Sequence, residues 1–142
     1  MRELSLNEPA ALVYCPARAM LHLPTWQDKR RVFERVAATL QPGGRFVWNV
    51  FVFNPHVAAR MDGEWEEHAG IKHRVTHVPA DNRIDLELAT GAKVSLWWAT
   101  RSEWEGLVEV AGLEVEALYG GFEREPFEET SDEFVWVARK PA

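Results

Sequence analysis

Apolar positions fall in two patterns along the chain. In the first they run together. Ala10 to Cys15 is an unbroken apolar run stopped by Pro16, which predicts a strand covered on both faces, as in a parallel sheet. A helix is expected next, because Thr25 can cap it with Asp28 three residues on. Phe33, Val36, Ala37 and Leu40 follow at helical spacing as one buried stripe, with Lys29, Arg30, Arg31 and Arg35 beside or behind it. Pro42 and Gly43-Gly44 end that helix. Phe46 to Phe53, interrupted only by Asn49 and closed by Asn54-Pro55, reads as a central strand. Strand, helix and strand make a right-handed βαβ crossover over residues 1–55.

In the second pattern apolar and polar residues alternate. His73, Val75 and His77 alternate with Arg74, Thr76 and Val78, and a turn follows at Pro79-Ala80-Asp81-Asn82. Ile84, Leu86 and Leu88 alternate with Asp85 and Glu87, then Thr90-Gly91-Ala92 turns the chain into Val94 to Trp98. This predicts a half-solvated antiparallel meander over residues 56–99. Thr100 and Glu103 form a capping box for a second helix carrying Trp104, Leu107, Val108 and Ala111, stopped at Gly112. Two strands, Leu113 to Tyr119 and Glu133 to Arg139, complete residues 100–142 around an acidic connection. The whole reads as one α/β domain.

Composition narrows the classes. Of the 142 residues, 46% are hydrophobic, which excludes a disordered chain. No run approaches the roughly 18 apolar residues of a membrane span. There is no signal peptide pattern, so the expectation is a cytoplasmic protein with no membrane partner. A single cysteine excludes a disulfide framework. The net charge of −6 argues against nucleic acid. That charge is divided unevenly: residues 1–60 hold 8 basic and 4 acidic side chains, residues 61–142 hold 8 and 18. The acidic part argues against an anionic substrate approaching from its side.

Taken alone, the residues offer few chemical signals. His68, His73 and His77, with Glu64, Glu66 and Glu67 nearby, are potential imidazole and carboxylate ligands. Their spacing matches no established zinc pattern, so surface or hydrogen-bonded histidines are expected and no metal. Cys15 would need Arg18 or His22 as a basic partner to act as a nucleophile; a buried inert thiol is the expectation. No Gly-x-Ser-x-Gly elbow is present, and the first glycine is Gly43. No glycine-rich phosphate loop therefore precedes the first strand.

The stretch from Ala11 to Phe51 resembles the centre of class I S-adenosylmethionine-dependent methyltransferases. The resemblance rests on the Leu12-Val13-Tyr14-Cys15 strand, the Leu21-His22-Leu23 loop and the Leu40-Gln41-Pro42-Gly43-Gly44-Arg45 element. It continues through Trp97-Trp98-Ala99-Thr100, Glu103-Trp104, Ala111-Gly112-Leu113 and the closing strand at Glu133 to Arg139. It implies a partial Rossmann-like sheet, with strands equivalent to the family's 4, 5, 7 and 6 and the meander inserted. The family's first strand, glycine-rich cofactor loop and acidic ribose-binding residue would all lie upstream of Met1, since Met1-Arg2-Glu3-Leu4 resembles the stretch after its third strand. This resemblance implies the C-terminal portion of a methyltransferase, inactive as the isolated chain. S-adenosylmethionine would meet Tyr14, Cys15, Pro16, Ala17, Leu21 and His22, with His22 as a candidate base or orienter. Substrate would meet Asn49, Trp97 and Trp98, although by composition alone core and meander packing is the favoured use of both tryptophans. The alternative is a non-catalytic module that binds a protein or small molecule. Without a strand beside it, the Ala11–Cys15 edge invites pairing, so a homodimer through that edge is expected.

Overall fold

The computed structural model describes all residues, 1–142. The first strand, β1 (Ala10–Cys15), leads through a short 3-10 turn at Ala19–His22 into helix α1 (Trp26–Thr39). Thr25 caps α1 by accepting the Asp28 N–H, as the sequence implies. The Asp28 carboxylate takes the Thr25 hydroxyl and Arg2, whose guanidinium pulls the carboxyl below its usual range. Of the four basic residues expected beside the stripe, Lys29 is instead buried. Leu40 is not the last helical residue. It turns extended and opens β2 (Leu40–Phe51), which starts earlier than the run of apolar residues suggests. Pro42-Gly43-Gly44 lies within β2 because it forms the bulge opposite Ala11, between the pairs Ala10–Leu40 and Leu12–Arg45.

Helix α2 (Pro55–Met61) and strand β3 (Trp65–His68) have no counterpart in the sequence-based expectation. Asn54 caps α2 through its side-chain oxygen, and Pro55 occupies the first turn. That arrangement starts a helix rather than merely ending a strand. Strands β4 (Ile71–Val78), β5 (Arg83–Leu88) and β6 (Lys93–Trp97) follow as the expected meander. With β3 they form a four-stranded antiparallel sheet in the order β3-β4-β5-β6. Helix α3 (Arg101–Val110) starts with the complete Thr100–Glu103 capping box. Strands β7 (Glu114–Tyr119) and β8 (Glu133–Arg139) close the chain.

The main sheet has the order β1-β2-β8-β7. β1 and β2 are parallel, and β8 is antiparallel to both of its neighbours. This reproduces the expected partial sheet. Its core lies on one face. Phe46, Trp48 and Val50 of β2 and Phe134, Trp136 and Ala138 of β8 pack with Phe33 of α1 and Trp104 of α3. Trp48 and Trp136 stack at 5.7 Å, and Phe33 meets Trp48 edge-on at 5.0 Å. Trp104 is fully buried because α3 turns it onto the sheet. β1 is not covered on both faces: Leu12 is 55% and Tyr14 68% exposed, because α1 covers only the face carrying Val13 and Cys15. No helix is long and apolar enough to cross a membrane.

Candidate functional site

The carboxyl ends of β1 and β2 lie side by side, where parallel α/β sheets gather ligands. The loop after β1 is sharply bent there. Ala17 and Arg18 both take left-handed backbone angles, with φ of 58° and 57°. For non-glycine residues such angles carry strain of roughly 1 kcal/mol or more each, so their surroundings must hold them. Arg18 shows how. Its guanidinium donates to both oxygens of Glu133 at the start of β8, the shortest bond being 2.6 Å. Asn49 Nδ2 donates to the same carboxylate at 2.7 Å. Asn49 and Glu133 are both buried, and the bonds satisfy them. The network ties the β1 loop to the ends of β2 and β8.

Beyond that network is a cavity of about 330 Å³. Its walls come from the end of β2 (Phe51), the segment Val52–Asn54, α2 (Val57, Met61), β4 (Val75, His77) and β5 (Ile84). The second sheet thus roofs the mouth of the first. Asp62, just past α2, bridges to Val75 and accepts the His77 backbone N–H at 2.8 Å. That bond, with the ring beside it, holds the Asp62 carboxyl below the usual carboxylate range. Phe53 lies flat on Trp98 at 3.9 Å and tilts against His77 at 5.9 Å.

Two further hollows adjoin the region. An apolar groove of about 410 Å³ runs beside β1 and α1, lined by Tyr14, Cys15 and Pro16 with Met1, Leu4 and Ala19. A more polar cavity of about 340 Å³ is lined by Trp97, Trp98, Lys29, Asn82 and Glu103. Lys29 donates to the Leu23 carbonyl at 2.7 Å, and burial pushes its amine down to about 8.

The residues singled out from the sequence therefore separate. Tyr14, Cys15 and Pro16 share the groove, whereas Ala17 is exposed on the bend. Leu21 is fully buried in the core and supports the loop from within, while His22 is exposed. Asn49 belongs to the Glu133 network. Trp97 and Trp98 line the polar cavity, with the Phe53–Trp98 stack standing between it and the cavity at the end of β2. The Cys15 thiol donates to Met1 Sδ at 3.3 Å, and Arg18 is held by Glu133 instead. Burial raises its pKa. No three His, Cys, Asp or Glu side chains are placed to hold a metal ion. His73 sits by the Ile71 carbonyl and His77 by Asp62.

Sequence reasoning missed Arg18 as an anchor, Glu133, Asp62 and the α2 wall. The Asn54-Pro55 pair was the available signal for α2. Nothing local links Arg18 to Glu133, which lies 115 positions away.

The groove gives S-adenosylmethionine little of what its polar parts need. Its lining is almost wholly apolar, with no carboxylate for a ribose and no glycine turn for the amino acid end. The residues present do not fit that cofactor by themselves.

No protein-family model matches the chain, and no curated protein matches it significantly. Solved structures do. The CcbJ methyltransferase from Streptomyces caelestis is 22% identical, with a TM-score of 0.81 over 99% of this chain and 61% of that one. An S-adenosylmethionine-dependent methyltransferase from Clostridium acetobutylicum is 10% identical, with a TM-score of 0.83 over 99% and 62%. CalS10 from Micromonospora echinaspora, an amino pentose methyltransferase with S-adenosylmethionine bound, is 23% identical, with a TM-score of 0.65 over 98% and 61%. The chain has the Rossmann-like fold of these methyltransferases and spans about three fifths of their length.

Proposed function

We propose that this chain is the C-terminal portion of an S-adenosylmethionine-dependent methyltransferase, taking its methyl acceptor in the cavity at the end of β2. The observation that carries the reading is position. A walled cavity of about 330 Å³ opens at the carboxyl ends of two parallel strands in a methyltransferase fold. Its size falls in the range of small-molecule sites. Within this reading residues 1–142 are one cytoplasmic domain, with residues 56–99 inserted between β2 and α3 as the roof. The β1 loop is the part of the cofactor site that this chain supplies, with Tyr14, Cys15 and Pro16 at its base, Ala17 and His22 exposed along it and Leu21 supporting it.

The 142 residues alone are expected not to bind the cofactor, because the groove lacks polar partners for it. Calorimetric titration with S-adenosylmethionine should show no binding heat; micromolar affinity would overturn that expectation. The coding DNA upstream of Met1 tests the larger reading. An in-frame Asp-x-Gly-x-Gly-x-Gly segment supports it, and in-frame stop codons count against it.

A second reading, a non-catalytic homodimeric module, is favoured by one observation. Leu12 and Tyr14 are exposed on β1, whose outer edge has no neighbour strand. Stop codons upstream together with a stable dimer would select this reading.

A further inference from the structure

In the cavity at the end of β2, His77 is set against apolar walls, with Asp62 beside it. Asp62 Oδ1 accepts the His77 backbone N–H at 2.8 Å and lies 3.3 Å from His77 Nδ1. The His77 side chain is only 13% exposed. A carboxylate partner places the ring hydrogen of neutral imidazole on Nδ1 and leaves Nε2 as an acceptor. Strand β4 delivers this ring to the cavity, and the bridge between Asp62 and Val75 fixes the carboxylate beside it.

Among the other polar groups of the wall, the one cation has its charge matched by a carboxylate. Arg18 is occupied by both oxygens of Glu133 and lies over the Phe51 ring at 5.8 Å. Asn54 Oδ1 accepts two N–H groups of α2. Asp132 adds a second carboxylate to the rim. The cavity therefore holds no unpaired cation. An anion entering it would lose its hydration without gaining a counter-charge.

We infer that this cavity selects an apolar, ring-sized ligand by one hydrogen-bond-donating group, a hydroxyl or amine received by His77 Nε2, and rejects carboxylates. The inference rests on reading this cavity as the acceptor site, and it makes His77 the specificity-determining residue. Phe51, Phe53, Val57, Met61, Val75 and Ile84 bury the body of the ligand.

The test uses the 142-residue chain and two probes of matched shape, 1-adamantanol and 1-adamantanecarboxylate. Binding is followed by NMR at the His77 ring and the Val75 and Ile84 methyl groups. The alcohol should shift all three saturably and bind at least about tenfold more tightly than the carboxylate, the scale of one buried hydrogen bond. His77→Phe should weaken the alcohol about tenfold, while His77→Gln, which keeps an acceptor, should stay within about threefold. Equal affinity for the two probes, an absence of shifts at His77, or full-strength binding by His77→Phe would overturn the inference. The comparison of probes needs only the unaltered chain, so a poorly folded variant leaves it decisive. Failure of the methyltransferase reading shows separately, in the upstream coding sequence, and leaves these shifts unchanged.

Discussion

Lys29 lies in sequence among Arg30, Arg31 and Arg35, yet of the four it alone is buried, at 5% exposure. Helical rotation brings it over the Leu23 carbonyl, and desolvation pushes its amine down to about 8 against the smaller pull of Glu103 and Asp28. The unfolded chain keeps that proton up to about pH 10.4. Between those values the unfolded state binds more protons, so stability rises with pH and is lost again as pH falls through about 8. Urea midpoints of the unaltered chain and Lys29→Met, followed from about pH 7 to 10.5, are expected to diverge. The unaltered chain should gain roughly 2–3 kcal/mol relative to the variant over that window. A constant difference would show that Lys29 titrates normally. Four buried indole N–H groups, those of Trp48, Trp98, Trp104 and Trp136, have no acceptor. Each such loss costs roughly 1–3 kcal/mol, set against the apolar area that the rings bury in the core.

The join between α1 and β2 is where local pattern and tertiary contact diverge among the elements. Locally, Pro42-Gly43-Gly44 signals only that a helix has stopped. In the fold it is a bulge on which three segments meet. Lys140 donates its ammonium to the Ala37 and Leu40 carbonyls at the end of α1, and its N–H to the Gly44 carbonyl. A Cβ on Gly44 would lie 2.9 Å from the Gln41 carbonyl oxygen and 3.0 Å from that of Ala10. Both contacts are with backbone, which cannot swing aside. Gly44→Ala should therefore destabilise the chain by about 1–3 kcal/mol in urea denaturation. A loss of a few tenths would mean that β1 and β2 do not close on this glycine. Helix α2 shows the converse: its signal was local, an Asn cap and a Pro in the first turn, but its position as a cavity wall came only from the Asp62–Val75 bridge.

Across the whole molecule, the main sheet is packed on the α1 and α3 face and ends at an unpaired β1. The segment before β1 turns toward α1, with Arg2 on Asp28 and Glu3 on Arg31, and leaves the strand edge open. An apolar edge of this kind recruits another strand. Light scattering at tens of micromolar is expected to give a dimer, and Leu12→Lys or Tyr14→Lys a monomer. A monodisperse monomer from the unaltered chain would remove the edge-pairing proposal. The sequence by itself determined the strands of the main sheet, their order by resemblance, both longer helices and the meander. These follow from hydrophobic period and from caps within three or four residues, which a linear reading contains. Only the tertiary structure decided the cavities: Arg18 on Glu133, Asp62 on His77, and Phe53 on Trp98. Those pairs form because two sheets meet at one mouth, bringing together residues whose spacing along the chain carries no trace of their contact.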